Sequence, residues 1–306
     1  MSIGCYQVYG LTLSSEVPLP ELSPAEASTP RDVRIRPGSL EGEVDLSQSF
    51  TRVWGQRALV HAEGLCTVGI NGGEEIVVDA RPGADPSRLR QVIYHAALPL
   101  LLHQRGLLAL HAGCVSFAGR GAAIVGPPGA GKSTLAALLL ELGGSFIADD
   151  VLALDLRDEG CQAPPGPPRV MLWPDAAGLL GLDVGEMPRV SPDEDKRVLE
   201  LAPARVPRCP PDPMPTLRAV FVLQPGGSMP AARLPASLRV VALARNLYHP
   251  EWFGRAAQAE LLARCVRVAA TVPVFSLGVE RSLAALPDVA RRVRQCLDDL
   301  EPPADG

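Results

Sequence analysis

Alternating apolar and polar positions dominate the first 80 residues, a pattern typical of β-strands. The clearest example is residues 65–79, where two β-rich runs flank Asn71-Gly72-Gly73. Two such runs around a glycine-containing turn predict a β-hairpin. We therefore predict a β-rich N-terminal unit over residues 1–84. The sequence leaves its task open between a lid, an oligomerisation surface and a substrate-docking element.

Helical periodicity appears after this unit. Asp85-Pro86 is expected to start a helix, because a capping side chain is followed by Pro in the first turn. Pro99 is then expected to kink or end it. Two further stretches have amphipathic helical periodicity: residues 258–270 and 288–300. Short β-rich runs, one of them at residues 239–243, alternate with these helices, so residues 85–306 are predicted to form one mixed α/β domain.

The central motif of the chain is Gly126-Pro127-Pro128-Gly129-Ala130-Gly131-Lys132-Ser133-Thr134. It matches the phosphate-binding pattern G-x-x-x-x-G-K-[ST] at every fixed position. The apolar residues 122–125 before it predict a short buried strand. The Leu- and Ala-rich residues 135–142 after it predict a helix that ends at Gly143. Strand, glycine loop and helix are the context that this motif requires.

Each part of this motif has a physical reason to bind ATP and Mg²⁺. Glycines let the backbone approach a polyphosphate closely, and the helix N-terminus attracts anions. Lys132 is expected to place its charge on the transferred phosphate, and the Ser133 hydroxyl can ligate Mg²⁺. The chain contains only two lysines, Lys132 and Lys196, among 29 basic residues. The predicted nucleotide-binding residues are Gly126, Gly129, Ala130, Gly131, Lys132, Ser133 and Thr134.

Two adjacent acids, Asp149 and Asp150, follow the short apolar run that comes after the predicted helix. Carboxylates at a strand end beside a phosphate loop lie where Mg²⁺ and the attacking group must sit. One acid can hold the metal and the other can accept a proton from a hydroxyl. His111, on a strand predicted over residues 107–115, could reach this pair if the strands are neighbours. The alternative is a core histidine with its hydrogen bonds satisfied.

These residues resemble a known family. Leu110-His111-Ala112-Gly113, the glycine loop and Ile147-Ala148-Asp149-Asp150 are similar in order and spacing to the catalytic domain of HPr kinase/phosphorylase, over residues 107–154. The layout is closest to the HPr-kinase-like serine kinases of peptide biosynthetic clusters, some of which phosphorylate precursor peptides. Residues 167–174 take the place of that family's Glu-Ile-Arg-Gly signature.

The resemblance implies an α/β fold with a P-loop kinase core of the phosphoenolpyruvate-carboxykinase/HPr-kinase type, together with the N-terminal β-rich unit. It implies transfer of the γ-phosphoryl group of ATP to a serine hydroxyl of a protein or peptide. It further implies that Asp149 is the catalytic base, assisted by His111, and that Asp150 lies near the metal with Ser133.

Two other functions stay open on the sequence alone. One is a kinase of a small molecule, such as free serine or a sugar alcohol. The other is a nucleotide-binding regulatory protein without transfer activity. Four basic residues are candidates for clamping phosphate, although each is more often a surface charge: Arg169, Lys196, Arg197 and Arg245. His249 is expected to be structural.

The composition limits the partners and the cellular compartment that can be expected for this protein. The net charge is −5 with acids and bases interspersed, which argues against nucleic acid or an anionic membrane surface as the partner. Seven scattered cysteines without a C-x-x-C pair suggest reduced thiols in a cytoplasmic protein. No signal peptide is evident, and no apolar run approaches the roughly 20 residues of a membrane helix. A homo-oligomer is compatible with the sequence.

Overall fold

A computed structural model describes residues 3–26, 29–40, 48–157, 160–191, 194–201, 213–227, 230–280 and 282–300. Within these residues the chain is mixed α/β, as the sequence predicts, and it contains three β-sheets. No helix among them is both long enough and apolar enough to span a membrane. The proline-rich stretch at residues 206–215 lies mostly outside the described part of the chain.

The first sheet contains eight strands, all before residue 81. In chain order they are β1 (Gly4–Val8), β2 (Leu11–Ser15), β3 (Ser23–Pro24), β4 (Val33–Pro37), β5 (Phe50–Trp54), β6 (Arg57–Ala62), β7 (Cys66–Asn71) and β8 (Glu75–Ala80). Their order across the sheet is β3-β1-β2-β4-β8-β7-β6-β5. Strands β7 and β8 form the predicted hairpin, with Gly72 and Gly73 both at positive φ in its turn.

Two helices connect the first sheet to the second: α1 (Pro86–Val92) and α2 (Leu98–Gln104). The Asp85 side chain caps α1 by accepting from two backbone N–H groups. A π-helical turn, Ile93–Ala97, joins the two helices. The helical run therefore continues past Pro99, which does not end it, and a kink there stays a prediction. Pro99 falls in the first turn of α2, where an N–H group is least needed.

The second and third sheets share the rest of the strands. In chain order they are β9 (Leu108–His111), β10 (Gly113–Phe117), β11 (Arg120–Val125), β12 (Ser145–Ala148), β13 (Val151–Arg157), β14 (Gly160–Gln162), β15 (Arg169–Leu172), β16 (Arg189–Ser191), β17 (Glu194–Glu200), β18 (Thr216–Pro225), β19 (Ala232–Arg233) and β20 (Val274–Val279). The second sheet has the order β12-β10-β11-β18-β14-β13-β9, and β20 pairs with both β18 and β19. The third sheet is β15-β17-β16.

The helices that follow are α3 (Lys132–Glu141), α4 (Pro174–Leu179), α5 (Ala236–Ala244), α6 (Arg255–Thr271) and α7 (Leu286–Asp298). The strand expected at residues 239–243 is wrong, because this segment is helical and packs on α6. The single strand expected over residues 107–115 is also wrong, because it is divided at Ala112 into β9 and β10. That division shapes the candidate site.

Two buried clusters form the core. One runs from the first sheet through α2 into the second sheet and includes Ile35, Ile70, Leu98 and Leu152. The other packs α3 and α7 against β11 and β18, around Phe221. The first sheet therefore shares its core with the residues that follow it. A domain boundary between residues 84 and 85 stays a prediction.

Candidate active site

The glycine loop lies between β11 and α3, as the motif requires. Gly126, Gly129 and Gly131 have φ values of 150°, 76° and 90°, a region that other residues rarely adopt. A Cβ on Gly126 would lie 3.0 Å from the Leu223 carbonyl oxygen. Only glycine fits this first position without displacing β18.

Lys132 is drawn into the loop that precedes it. Its side chain is only 9% exposed, and Nζ donates to the carbonyls of Gly126 at 3.0 Å and Pro127 at 3.4 Å. Burial lowers the pKa of Lys132, while Asp150 and Asp149 act in the opposite direction. A cation held against backbone carbonyls by a turn of glycines suits the binding of an anion such as phosphate.

Asn246 anchors the start of this loop, a role that the sequence analysis missed. Its Oδ1 accepts from the Gly126 N–H at 3.0 Å, and its Nδ2 donates to Ala242 O at 2.7 Å. Its own carbonyl accepts from the His111 N–H at 2.8 Å. One asparagine thus ties the loop, α5 and β9 together.

The acid pair sits where two pairs of strands change partners. β9 pairs with β13 and β10 pairs with β12, so the break at Ala112 faces the break at Asp149-Asp150. The Ala112 N–H donates to the Asp150 carbonyl at 3.3 Å. Asp150 has φ 71°, an uncommon conformation for a residue other than glycine that is often found at functional sites.

Asp149 turns toward the glycine loop. Its Oδ2 accepts from the Met171 N–H at 2.8 Å, and the Ser133 hydroxyl lies close enough to lower its pKa. Burial raises the pKa of Asp149 to about 6, against the lowering effect of the Met171 hydrogen bond. Ser133 and Asp149 together offer a hydroxyl and a carboxylate.

This oxygen-only pair fits Mg²⁺, which is commonly held by one or two protein oxygens, waters and substrate phosphates. A richer metal site is absent from the described residues, because no three or more His, Cys, Asp or Glu side chains among them are grouped to hold an ion. Any metal here would complete its shell with water or with oxygens of a bound ligand.

Asp150 turns the other way, toward two histidines. His111 Nδ1 lies 3.1 Å from Oδ1, and His95 Nδ1 lies 2.9 Å from Oδ2. Burial alone would raise the pKa of Asp150, but the hydrogen bonds from His111 and His95 outweigh it and hold the pKa well below its usual range. Asp150 is therefore a hydrogen-bonded carboxylate rather than a free acid.

His111 reaches the acid pair, as the sequence allows, but the contacts divide the two aspartates differently from what the resemblance implies. His111 lies beside Asp150, and Ser133 lies beside Asp149. The reason is register: His111 is opposite Val151, so the acid nearest to it is Asp150, directly before β13. Asp149 closes β12 and faces the start of α3. The catalytic and metal-binding roles of these residues stay predictions.

His95 is the functional candidate that sequence reasoning missed. It belongs to the π-helical turn between α1 and α2, far from the motif in sequence. Short π-helical segments are often found at functional sites, but the apolar pattern of this helix gives no sign of one. Only the fold brings His95 to Asp150.

The four basic candidates have separate surroundings. Arg169 is buried, with a guanidinium nitrogen 2.6 Å from His95 Nε2. Arg197 donates to Asp195 and to the Met187 carbonyl. Lys196 lies 5.7 Å from the centre of the Trp173 ring. Arg245 is exposed and lines a cleft beside the loop. Arg169 therefore anchors a histidine rather than facing an open cavity.

Two cavities flank the glycine loop. The first, here called the His111 cleft, has a volume of about 700 Å³ and is lined by His111, Gly126, Pro127, Arg245, Tyr248 and His249. The second, here called the Leu286 cleft, has a volume of about 520 Å³ and is lined by Pro127, Gly129, Gly131, Asp175, Leu223 and Leu286. The loop thus separates two spaces, each within the size range of ligand-binding clefts.

Comparisons with known proteins give weak likeness to solved structures. No family model matches the chain, and no curated protein matches it. Among solved structures, the Hpr(Ser) kinase/phosphatase from Coxiella burnetii is similar over 61% of this chain and 89% of its own, with 14% sequence identity and a TM-score of 0.34. A likeness at this level assigns neither a family nor an activity, so the function has to be inferred from the site.

Proposed function

We propose that this protein is an ATP-dependent kinase that transfers the γ-phosphoryl group to a serine hydroxyl of a protein or peptide. The observation that carries the proposal is the division of the acid pair. Asp149 and Ser133 lie on the loop side, and Asp150 and His111 lie on the side of the His111 cleft. A phosphoryl-transfer site needs both halves next to each other: a holder of polyphosphate and metal, and a group that receives the hydroxyl proton.

On the nucleotide side, the loop residues Gly126, Gly129, Ala130, Gly131, Lys132, Ser133 and Thr134 would hold the phosphates. Ser133 and Asp149 would hold Mg²⁺, which neutralises charge on the phosphates when bound. The Leu286 cleft, open along the loop on the other side from His111, would take the nucleoside. Its apolar lining from Leu223 and Leu286 suits an aromatic base.

On the acceptor side, His111 is better suited than either aspartate to take the proton. Its Nδ1 faces the Asp150 carboxylate at 3.1 Å, so Nδ1 carries the hydrogen and Nε2 remains as the acceptor. Both oxygens of Asp150 already accept hydrogen bonds, and its low pKa makes it a weak base. Asp150 would orient the imidazole of His111 and stabilise its charged form, as a carboxylate does in hydrolase triads. This assignment replaces Asp149 as the expected base.

A peptide acceptor is favoured over a small one by the size of the His111 cleft. At about 700 Å³ the cleft lies in the upper part of the range that accommodates drug-sized ligands. Free serine or a sugar alcohol would leave most of it to water. The exposed Arg245, His249 and Glu251 along its rim offer both signs of charge to neighbouring residues of a peptide.

The test is transfer of labelled phosphate from ATP to an acceptor with Mg²⁺ present. A pool of serine-containing peptides, the same pool with alanine for serine, free serine and a sugar alcohol serve as acceptors. We expect label in the serine peptides only. Label in free serine alone would make the protein a small-molecule kinase, and ATP binding without transfer to any acceptor would favour the regulatory alternative.

Variants assign the roles. Lys132→Ala is expected to abolish transfer, because it removes the charge at the transferred phosphate. His111→Gln is expected to reduce kcat by about 100-fold or more, the usual contribution of a general base. His249→Gln is the matched control: His249 lines the same cleft but is paired with Glu251 and stacked on Trp252. Equal activity of the two glutamine variants would remove His111 from its role.

A further inference from the structure

We propose that His95 is a positioning residue for the transfer reaction, holding Asp150 from the side opposite His111, and that residues of the first sheet hold His95 in turn. The inference rests on the proposed kinase function for its catalytic consequence. It names residues that neither the motif nor the resemblance points to. It also assigns a function to the first sheet, which is to hold His95 in place.

The ring of His95 is fixed at both nitrogens. Nδ1 lies 2.9 Å from Asp150 Oδ2, and Nε2 lies 2.6 Å from a guanidinium nitrogen of Arg169. Arginine can only donate, so Nε2 must accept and Nδ1 must carry the hydrogen that Asp150 receives. Burial lowers the pKa of His95, in keeping with a neutral ring. The arrangement allows one tautomer and one orientation.

Arg169 is itself held by a chain of aromatic and acidic groups. Its guanidinium lies 4.5 Å from the centre of the Tyr94 ring, within the range of a cation–π contact. The Tyr94 hydroxyl donates to Glu21 Oε2 at 2.8 Å, and Arg90 pairs with Glu21 Oε1 at 2.6 Å. Arg169 is only 5% exposed, so its charge needs compensation from nearby acids.

The far end of this chain belongs to the first sheet. Glu21 lies two residues before β3, in the turn that leads from β2. Tyr9, between β1 and β2, adds a second contact because its hydroxyl donates to the Val151 carbonyl at 3.3 Å. Val151 is the residue after Asp150. The first sheet therefore contacts the acid turn through both the Glu21 chain and Tyr9.

The consequence concerns orientation. Without His95, the remaining partner of Asp150 Oδ2 among the described hydrogen bonds would be the Tyr248 hydroxyl, which lies 3.4 Å away and donates to the His95 carbonyl at 2.9 Å. The carboxylate could then rotate, and the His111 ring would lose its fixed partner. The glycine loop, Lys132 and Ser133 have no contact with His95 in the described hydrogen bonds, so nucleotide binding should be unaffected.

The experiment compares His95→Leu, which removes the donor, with His95→Asn, which keeps an N–H near the position of Nδ1. Loss of an outer hydrogen-bond partner typically costs 10–100-fold in activity. We expect kcat to fall by about that factor in the leucine variant and to recover most of it in the asparagine variant. The dissociation constant for ATP, measured by displacement of a fluorescent analogue, should stay within about 2-fold. His103→Leu on α2 is the matched control, because the His103 ring packs at a tilt against Phe253 and makes no hydrogen bond to the acid pair among the described residues.

A second readout does not depend on activity. Long-range ¹H–¹⁵N NMR spectra of the imidazoles report which nitrogen carries the hydrogen. The inference predicts that His95→Leu alters the signals of the His111 ring and that His103→Leu does not. If the wild-type protein transfers no phosphate, the kinase proposal fails while this spectrum still tests the positioning of His111.

Glu21→Gln extends the test to the first sheet and covers the case in which His95→Leu does not fold. It should reduce kcat by about 10-fold at unchanged ATP affinity, whereas Glu16→Gln, at an exposed pair with Arg34, should have no effect. Wild-type kcat and unchanged His111 signals in His95→Leu would overturn the inference. Equal losses in the leucine and asparagine variants would overturn it as well.

Discussion

Replacing Asp149 with asparagine should stabilise the folded protein while abolishing its proposed metal-dependent activity. Burial raises the pKa of Asp149 from 3.8 to about 6. At neutral pH the carboxylate is therefore less favourable in the folded state than in the unfolded chain, which lowers the stability of the folded protein. Each pKa unit corresponds to about 1.4 kcal/mol, which sets an upper limit of about 3 kcal/mol at pH 8. Because Asp149 is partly accessible to solvent, about 1–2 kcal/mol of this cost should remain.

The direction in which stability changes with pH follows from proton linkage. A carboxyl group whose folded-state pKa is raised contributes stability that is complete below its unfolded pKa and is lost as the pH rises through about 6. Asparagine cannot ionise, but its side-chain oxygen can still accept from the Met171 N–H. The variant should therefore not lose stability through this group as the pH rises. The difference in unfolding free energy between the variant and the wild type should increase by about 1 kcal/mol between pH 5 and pH 8.

Urea unfolding at a series of pH values, in the presence of EDTA, measures the effect. Ser133→Ala is the matched control, because it keeps the carboxylate and removes a hydroxyl that lowers the pKa of Asp149. Its stability should therefore fall at least as much between pH 5 and pH 8 as that of the wild type. Parallel curves for Asp149→Asn and the wild type, or a variant that is less stable at pH 8, would refute the reasoning. Gains of this kind are common where a functional group is buried at a cost to stability.

Three further substitutions test the framework of the site. Gly126→Ala places a Cβ 3.0 Å from the Leu223 carbonyl oxygen at a φ of 150°. In thermal unfolding it should destabilise the protein by about 1–3 kcal/mol, and it should also weaken ATP binding. Gly129→Ala, whose Cβ meets open space, should destabilise the protein less in the same assay. Asn246→Ala should cost about 1–3 kcal/mol in unfolding free energy, because the Gly126 N–H loses its acceptor, and Asn246→Asp, which keeps an oxygen there, should cost less. Phe221→Ala should lower the free energy of unfolding by about 3–5 kcal/mol, since the ring is fully buried and stacked on Phe275. Trp54→Ala should lower it far less, because Trp54 is 43% exposed. A similar loss for both variants would contradict the assigned core.

Local sequence patterns were sufficient to predict the elements whose conformation depends on neighbouring residues. The hairpin around Gly72 and Gly73, the cap at Asp85 and the strand, loop and helix of the central motif all follow from short stretches of sequence. The Asp149-Asp150 pair could be located for the same reason. These features need only backbone conformation and capping chemistry, which a short stretch specifies.

Features set by strand register and long-range contacts were not predictable. The break at Ala112 could not be located from the residue type, because alanine is only weakly disfavoured in strands. Without the position of this break, the acid nearer to His111 could not be chosen. His95 and Asn246 gain their roles from segments more than 50 residues away in sequence. Residues 239–243 contain two adjacent valines and so favour a strand, yet packing against α6 overrides that preference.

The opposed directions of Asp149 and Asp150 make the two halves of this site separable by mutation. A copy of the chain that lost His111 and Asp150 could keep the glycine loop, Lys132 and the Ser133–Asp149 pair unchanged. If the proposed function is correct, such a descendant would still bind ATP but would no longer transfer its phosphate. The two-residue turn would then give this architecture a short evolutionary route from a catalyst to a nucleotide sensor.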